Sequence, residues 1–87
     1  MFPPVPNPFS DSVAITWQQA QAGPVLLEIV DLQGKTIFSE KINAAPGKQE
    51  WRWNGQNALG AEVSGGVYVV SVKGKDFQES VKVVRSH

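Results

Sequence analysis

Apolar side chains recur at every second position of this chain, and no segment carries the three-and-four spacing of a helix face. Val13, Ile15 and Trp17 alternate with Ala14 and Thr16, and Val25, Leu27 and Ile29 share a face that excludes Glu28. Trp51 and Trp53 point one way while Glu50 and Arg52 point the other. Period two specifies strands, and a strand with one apolar face has to bury it against a second layer. Strands are expected at 13–17, 25–30, 35–42, 49–53, 67–73 and 77–85, with a short extended piece at 61–63.

The residues between these runs have turn chemistry. Asp31-Leu32-Gln33-Gly34 places Asp at i and Gly at i+3, the type I preference, and Ala45-Pro46-Gly47-Lys48 suits type II. Lys73-Gly74-Lys75-Asp76 joins the last two strands. After Trp53, Asn54-Gly55 supplies residues that tolerate positive φ, and Asn57 to Gly60 repeats the type I pattern. Gly65 and Gly66 then let the backbone re-enter a sheet at an angle that a β-carbon resists. Short strands punctuated about every eight to twelve residues describe an all-β fold, an Ig-like or fibronectin III-like antiparallel β-sandwich of about seven strands. One such domain is expected over 10–87, behind an extended lead at 1–9 whose four prolines cannot donate to a ladder.

Composition narrows the function. Eighty-seven residues allow one domain, and 41% hydrophobic residues are enough for one core. Eight basic side chains balance eight acidic ones, so no long-range field steers phosphate or anionic lipid, and nucleic acid loses its main attraction. Cys is absent, which removes disulfides and thiolate metal sites without assigning a compartment. No apolar run approaches a membrane span, and there is no basic-apolar leader. Met1, followed at once by Phe2-Pro3-Pro4, reads as an initiator placed before a piece of a longer exported chain.

Five motifs now stand in order: Pro6-Asn7-Pro8-Phe9; Ile29-Val30-Asp31-Leu32-Gln33-Gly34-Lys35; Trp53-Asn54-Gly55; Gly65-Gly66-Val67-Tyr68; and Val81-Lys82-Val83-Val84-Arg85. Together they resemble the type A C-terminal sorting domain of the type IX (Por) secretion system of Bacteroidetes. The Trp-x-Gly and Gly-Val-Tyr elements also resemble the Ig-like domain of flagellar hook-capping proteins. The resemblance implies an Ig-like sandwich at the end of an exported protein, read by the outer-membrane secretion machinery and removed by its sortase. The cargo, N-terminal to the domain, would be released or attached to surface lipopolysaccharide after crossing the periplasm. It implies a recognition strand at Val81, Lys82, Val83, Val84 and Arg85. It assigns structural roles to Pro6, Asn7, Pro8, Phe9, Asp31, Gly34, Trp53, Gly55, Gly66, Val67 and Tyr68. Asn54 departs from the family, which commonly carries Asp there. The chain stops two residues after Arg85, which suits a natural C-terminus.

Three tryptophans could form a carbohydrate platform, yet each ring would bury roughly 150–250 Å² in a core. At about 25 cal/mol per Å² that is at most about 4–6 kcal/mol each, against a total stability of ~4–13 kcal/mol for a domain of this length. Core packing is therefore expected. Asn54, Asn57 and Glu62 offer oxygens to calcium but too little charge, so loop capping is expected instead. His87 sits at the chain end, and no Ser has a neighbouring base. Asp11, Asp31, Asp76, Glu28, Glu40 and Glu79 fall on turns or outward strand positions, unpaired for acid/base work. Lys73, Lys75, Lys82 and Arg85 gather late, interleaved with Asp76 and Glu79, as edge protection or as a surface for a receptor.

The expectation is a non-catalytic sorting module without cofactor or metal, working with secretion machinery and cargo, with no nucleic acid and no insertion into membrane. The alternatives are an Ig-like spacer or adhesion module of a surface protein or glycosidase, and a carbohydrate-binding module.

Overall fold

A computed structural model describes residues 12–86. The extended lead expected at 1–9, with its Pro6-Asn7-Pro8-Phe9 motif, and Asp11 and His87 all lie outside the described residues. Six strands follow in order: β1 (Val13–Gln19), β2 (Gly23–Asp31), β3 (Thr36–Ala44), β4 (Gly47–Trp53), β5 (Gly66–Lys73) and β6 (Gln78–Arg85). They form two antiparallel sheets, one of order β1-β4 and one of order β3-β2-β5-β6. This is the all-β sandwich that the alternation predicts, built from six strands.

The core follows the parity of each strand. Val13, Ile15 and Trp17 of β1 and Trp53 of β4 face Val25, Leu27 and Ile29 of β2, Tyr68, Val70 and Val72 of β5 and Val83 of β6 across one buried cluster. β1 runs two residues past Trp17 because Gln19 extends the inward face with a polar side chain that has its partners. Its Oε1 accepts the Trp17 indole N–H at 2.8 Å, and its Nε2 donates to the Gln21 carbonyl at 2.9 Å. A buried amide so paired avoids the desolvation penalty of an orphan.

Two of the expected turns close hairpins, whereas Gly47 and Lys48, expected in a turn, open β4 where the chain crosses from one sheet to the other. Gly34 N donates to the Asp31 carbonyl at 3.0 Å, the bond of a four-residue turn, while Asp31 Oδ1 accepts the amides of Gln33 and Lys35, each at 2.9 Å. The β2–β3 register shifts between Ile29 and Val30, the kind of irregularity that raises local twist. Between β5 and β6, Gly74 N donates to the Phe77 carbonyl at 2.8 Å. Phe77 therefore belongs to the turn, and β6 begins one residue later than expected.

The extended piece expected at 61–63 is not a strand. It makes one isolated bridge, Gln56 to Glu62, inside the loop between β4 and β5. Asn57 decides this locally. Its Oδ1 accepts the amides of Leu59 and Ala61 at 2.9 and 3.0 Å, which curls the backbone into a turn and leaves no run of groups for a ladder.

Candidate functional site: the last strand and the loop beneath it

Four of the sequence motifs converge on one end of the sandwich. Cross-strand register puts Asp31, Tyr68 and Val83 in one row and Gly66 opposite Arg85. Trp53, from the other sheet, meets Tyr68 edge to face with ring centroids 5.4 Å apart. The loop between them is stitched to its own rim. Trp53 Nε1 donates to the Gln56 carbonyl at 3.0 Å, Val63 N to the Gly55 carbonyl at 2.9 Å, and the Tyr68 hydroxyl to the Ser64 carbonyl at 2.7 Å. Ala58 N reaches the Ile37 carbonyl at 3.2 Å and ties the loop to β3.

Strand β6 ends on this loop. Val83 is buried and Val81 packs against the core, while Lys82 is exposed and Val84 half-buried on the opposite face. The outward row Val30–Val69–Lys82 lies beside Val67–Val84, so Lys82 stands at the margin of four valines. Arg85 follows the inward parity and is 5% exposed. Its Nη2 donates to Glu62 Oε1 at 3.0 Å, and its guanidinium sits against Gly55. A β-carbon on Gly55 would stand 1.8 Å from Arg85 Nη1, and Gly55 holds φ at +78°, so any other residue here strains the backbone and must displace the guanidinium.

The residues nominated from the sequence therefore divide. Asp31, Gly34, Trp53, Gly55, Gly66, Val67 and Tyr68 come together as turn, loop and core parts of one end. Of the five residues of the expected recognition strand, Val83 and Arg85 are covered within the folded domain, and Lys82 is the exposed member. Charge alone groups Arg85 with the surface lysines, but the structure buries it. The signal that places it was present, since Val81, Val83 and Arg85 share a parity.

Asn54, Asn57, Glu28 and Glu40, candidates for other chemistry, have local partners, while Glu79, expected on an outward position, follows the inward parity opposite Val72. Asn54 Oδ1 accepts the Gln56 amide at 3.3 Å, and Asn57 caps its own turn as expected. Glu28 pairs with Lys73 at 2.9 Å, and Glu40 accepts the Trp51 indole N–H at 3.1 Å. Among the described residues no three His, Cys, Asp or Glu side chains group as a metal site. Trp17 and Trp53 are core residues, and Trp51 is half-buried, stacked on Phe38 with centroids 6.0 Å apart.

Fold and site together define a class, the antiparallel β-sandwich module with a glycine-dependent loop clasping its terminal strand. Within that class the chain belongs to the secretion-system C-terminal sorting domains, whose family model matches residues 5–86. This is the type IX sorting family that the five motifs resemble, a family of sorting signals that directs exported proteins to the cell surface or medium. Among solved structures it is similar to part of dimeric latent PorU from Porphyromonas gingivalis, with a TM-score of 0.69 and 18% identity over 97% of this chain and 9% of that one. It is also similar to part of PorZ, an essential bacterial surface component of the type-IX secretion system of the same organism. There the TM-score is 0.63 at 23% identity, over 95% of this chain and 11% of that one. The chain thus spans about a tenth of the length of these two proteins. No curated protein sequence matches it.

Proposed function

We propose that β6 is the element of this sorting domain that the outer-membrane machinery reads, and that Lys82 is its principal side-chain contact. The observation that carries the reading is the split within one strand. Val83 and Arg85 anchor it inside, while Lys82 stands exposed beside Val69 and Val84. A cation on an apolar patch offers selectivity by charge at little conformational cost, because the sheet holds the strand extended. In this reading the sandwich is a rigid handle, the cargo lies N-terminal to it, a sortase removes it after passage, and the domain itself catalyses nothing.

The experiment fuses residues 1–87 behind a signal peptide and a reporter in a bacterium that has the system. The intact fusion should reach the surface or medium, and a fusion lacking residues 81–87 should stay in the periplasm. Lys82→Glu should lower export several-fold while leaving thermal stability unchanged, since the side chain is exposed. Wild-type export of that variant would refute the role given to Lys82, and export of the truncation would refute the role given to the strand.

A further inference from the structure

Arg85 is the one charged residue buried among the described residues, and its burial is poorly compensated. Nη2 has Glu62, itself a largely exposed partner, whereas Nε and Nη1 are buried and meet no acceptor among the described residues. A guanidinium held this way is a weak source of stability, since apolar side chains of similar volume commonly do as well. Such groups are better attested as devices that select one arrangement over another.

The arrangement in question is the register of β6 on β5. A slip of one residue is already forbidden, because it would turn Val81 and Val83 out and Lys82 in. A slip of two is different. In the native register Val83 lies opposite Tyr68, Val81 opposite Val70 and Glu79 opposite Val72. Sliding β6 by two in one direction sets Val83 against Val70 and Val81 against Val72, so valines still face valines. The connecting turn merely lengthens, at small entropic cost. Sliding the other way drives Glu79 against Val70 and is opposed by charge. In the permitted direction one residue objects. Arg85 would move opposite Tyr68, into the core beside Trp53, away from Glu62 and from the space above Gly55.

We propose that Arg85, seated over Gly55 and paired with Glu62, is the positioning residue that locks the register of the sorting strand and so decides which side chain stands at the Lys82 position. This rests on the reading of β6 as the signal. It makes Arg85 an internal anchor that the machinery does not touch in the folded domain.

The full 87-residue chain has no cysteine, so paired substitutions report register without interference. Ser71 and Ser80 are directly opposite in the native register, and Ser71 and Lys82 would be opposite after the permitted slip. Directly opposed positions on antiparallel strands lie within disulfide reach. With Arg85 present, Ser71→Cys/Ser80→Cys should oxidise readily and Ser71→Cys/Lys82→Cys should not. In the Arg85→Met background the first bond should fall several-fold and the second should appear. Arg85→Lys should keep the native bond, because a charge still bars the slip. Native cross-linking alone in Arg85→Met overturns the proposal. Loss of both cross-links together with loss of dispersed amide resonances also overturns it, since Arg85 would then be only a stabilising residue. In the export assay Arg85→Met should be retained, and the Ser71→Cys/Ser80→Cys disulfide should restore export by imposing register. Register that shifts while export stays unaffected would sink the reading of β6 as the signal and leave the lock standing.

Discussion

The indole of Trp53 and the ring of Tyr68 meet edge to face at 5.4 Å and 70°, one from each sheet, and close the end of the sandwich on which the terminal strand finishes. Each ring also holds the loop between them, through Trp53 Nε1 to Gln56 and the Tyr68 hydroxyl to Ser64. Trp53 and Tyr68 are therefore one mechanical unit.

Trp53→Ala should destabilise the domain by roughly 3–5 kcal/mol, a large share of its total stability. Tyr68→Phe, which deletes only the hydroxyl bond to Ser64, should cost about 1 kcal/mol. Chemical denaturation checks both. A melting temperature unmoved by Trp53→Ala would place the indole outside the core.

Gly34 and Gly55 both have positive φ, but a β-carbon on Gly34 meets open space whereas one on Gly55 meets Arg85. Gly34→Ala should therefore cost only backbone strain, about 1–3 kcal/mol. Gly55→Ala should cost distinctly more, and trimming Arg85 to Ala in the same chain should recover part of the difference. Equal effects of the two glycine substitutions would remove the steric argument.

The Glu28–Lys73 pair spans β2 and β5 at 2.9 Å, with side chains 24% and 39% exposed. Partly solvated pairs are worth little, so Lys73→Ala should change stability by less than about 1 kcal/mol, and added salt should shrink the effect further. A large loss insensitive to salt would mean that the lysine stem packs, and that charge is incidental.

Trp17 and Trp53 are sealed and Trp51 is half-covered by Phe38. Emission should be blue-shifted, with one fraction open to iodide that disappears in Trp51→Phe. A panel of oligosaccharides should leave the spectrum unchanged. Quenching by any glycan would revive a carbohydrate role centred on Trp51 and Phe38.

Much of this protein was written in short-range chemistry. The faces of β1, β2 and β5 follow from period two, since alternate side chains of an extended chain must point apart. The turn at Asp31–Gly34 follows from an aspartate able to hold two amides and a glycine free to turn. The missing strand at 61–63 shows the limit of that reading, because alternation over three residues yields to a single Asn57 side chain. Tertiary structure alone decided the rest. Which strands pair across the chain, β1 with β4 and β2 with β5, depends on contacts between residues far apart in sequence, which no local pattern encodes. The place of Arg85 was settled the same way. Its parity pointed inward, but only the assembled sandwich brings Gly55 beneath its guanidinium and Glu62 to its edge, and burial of a charge is decided by what surrounds it.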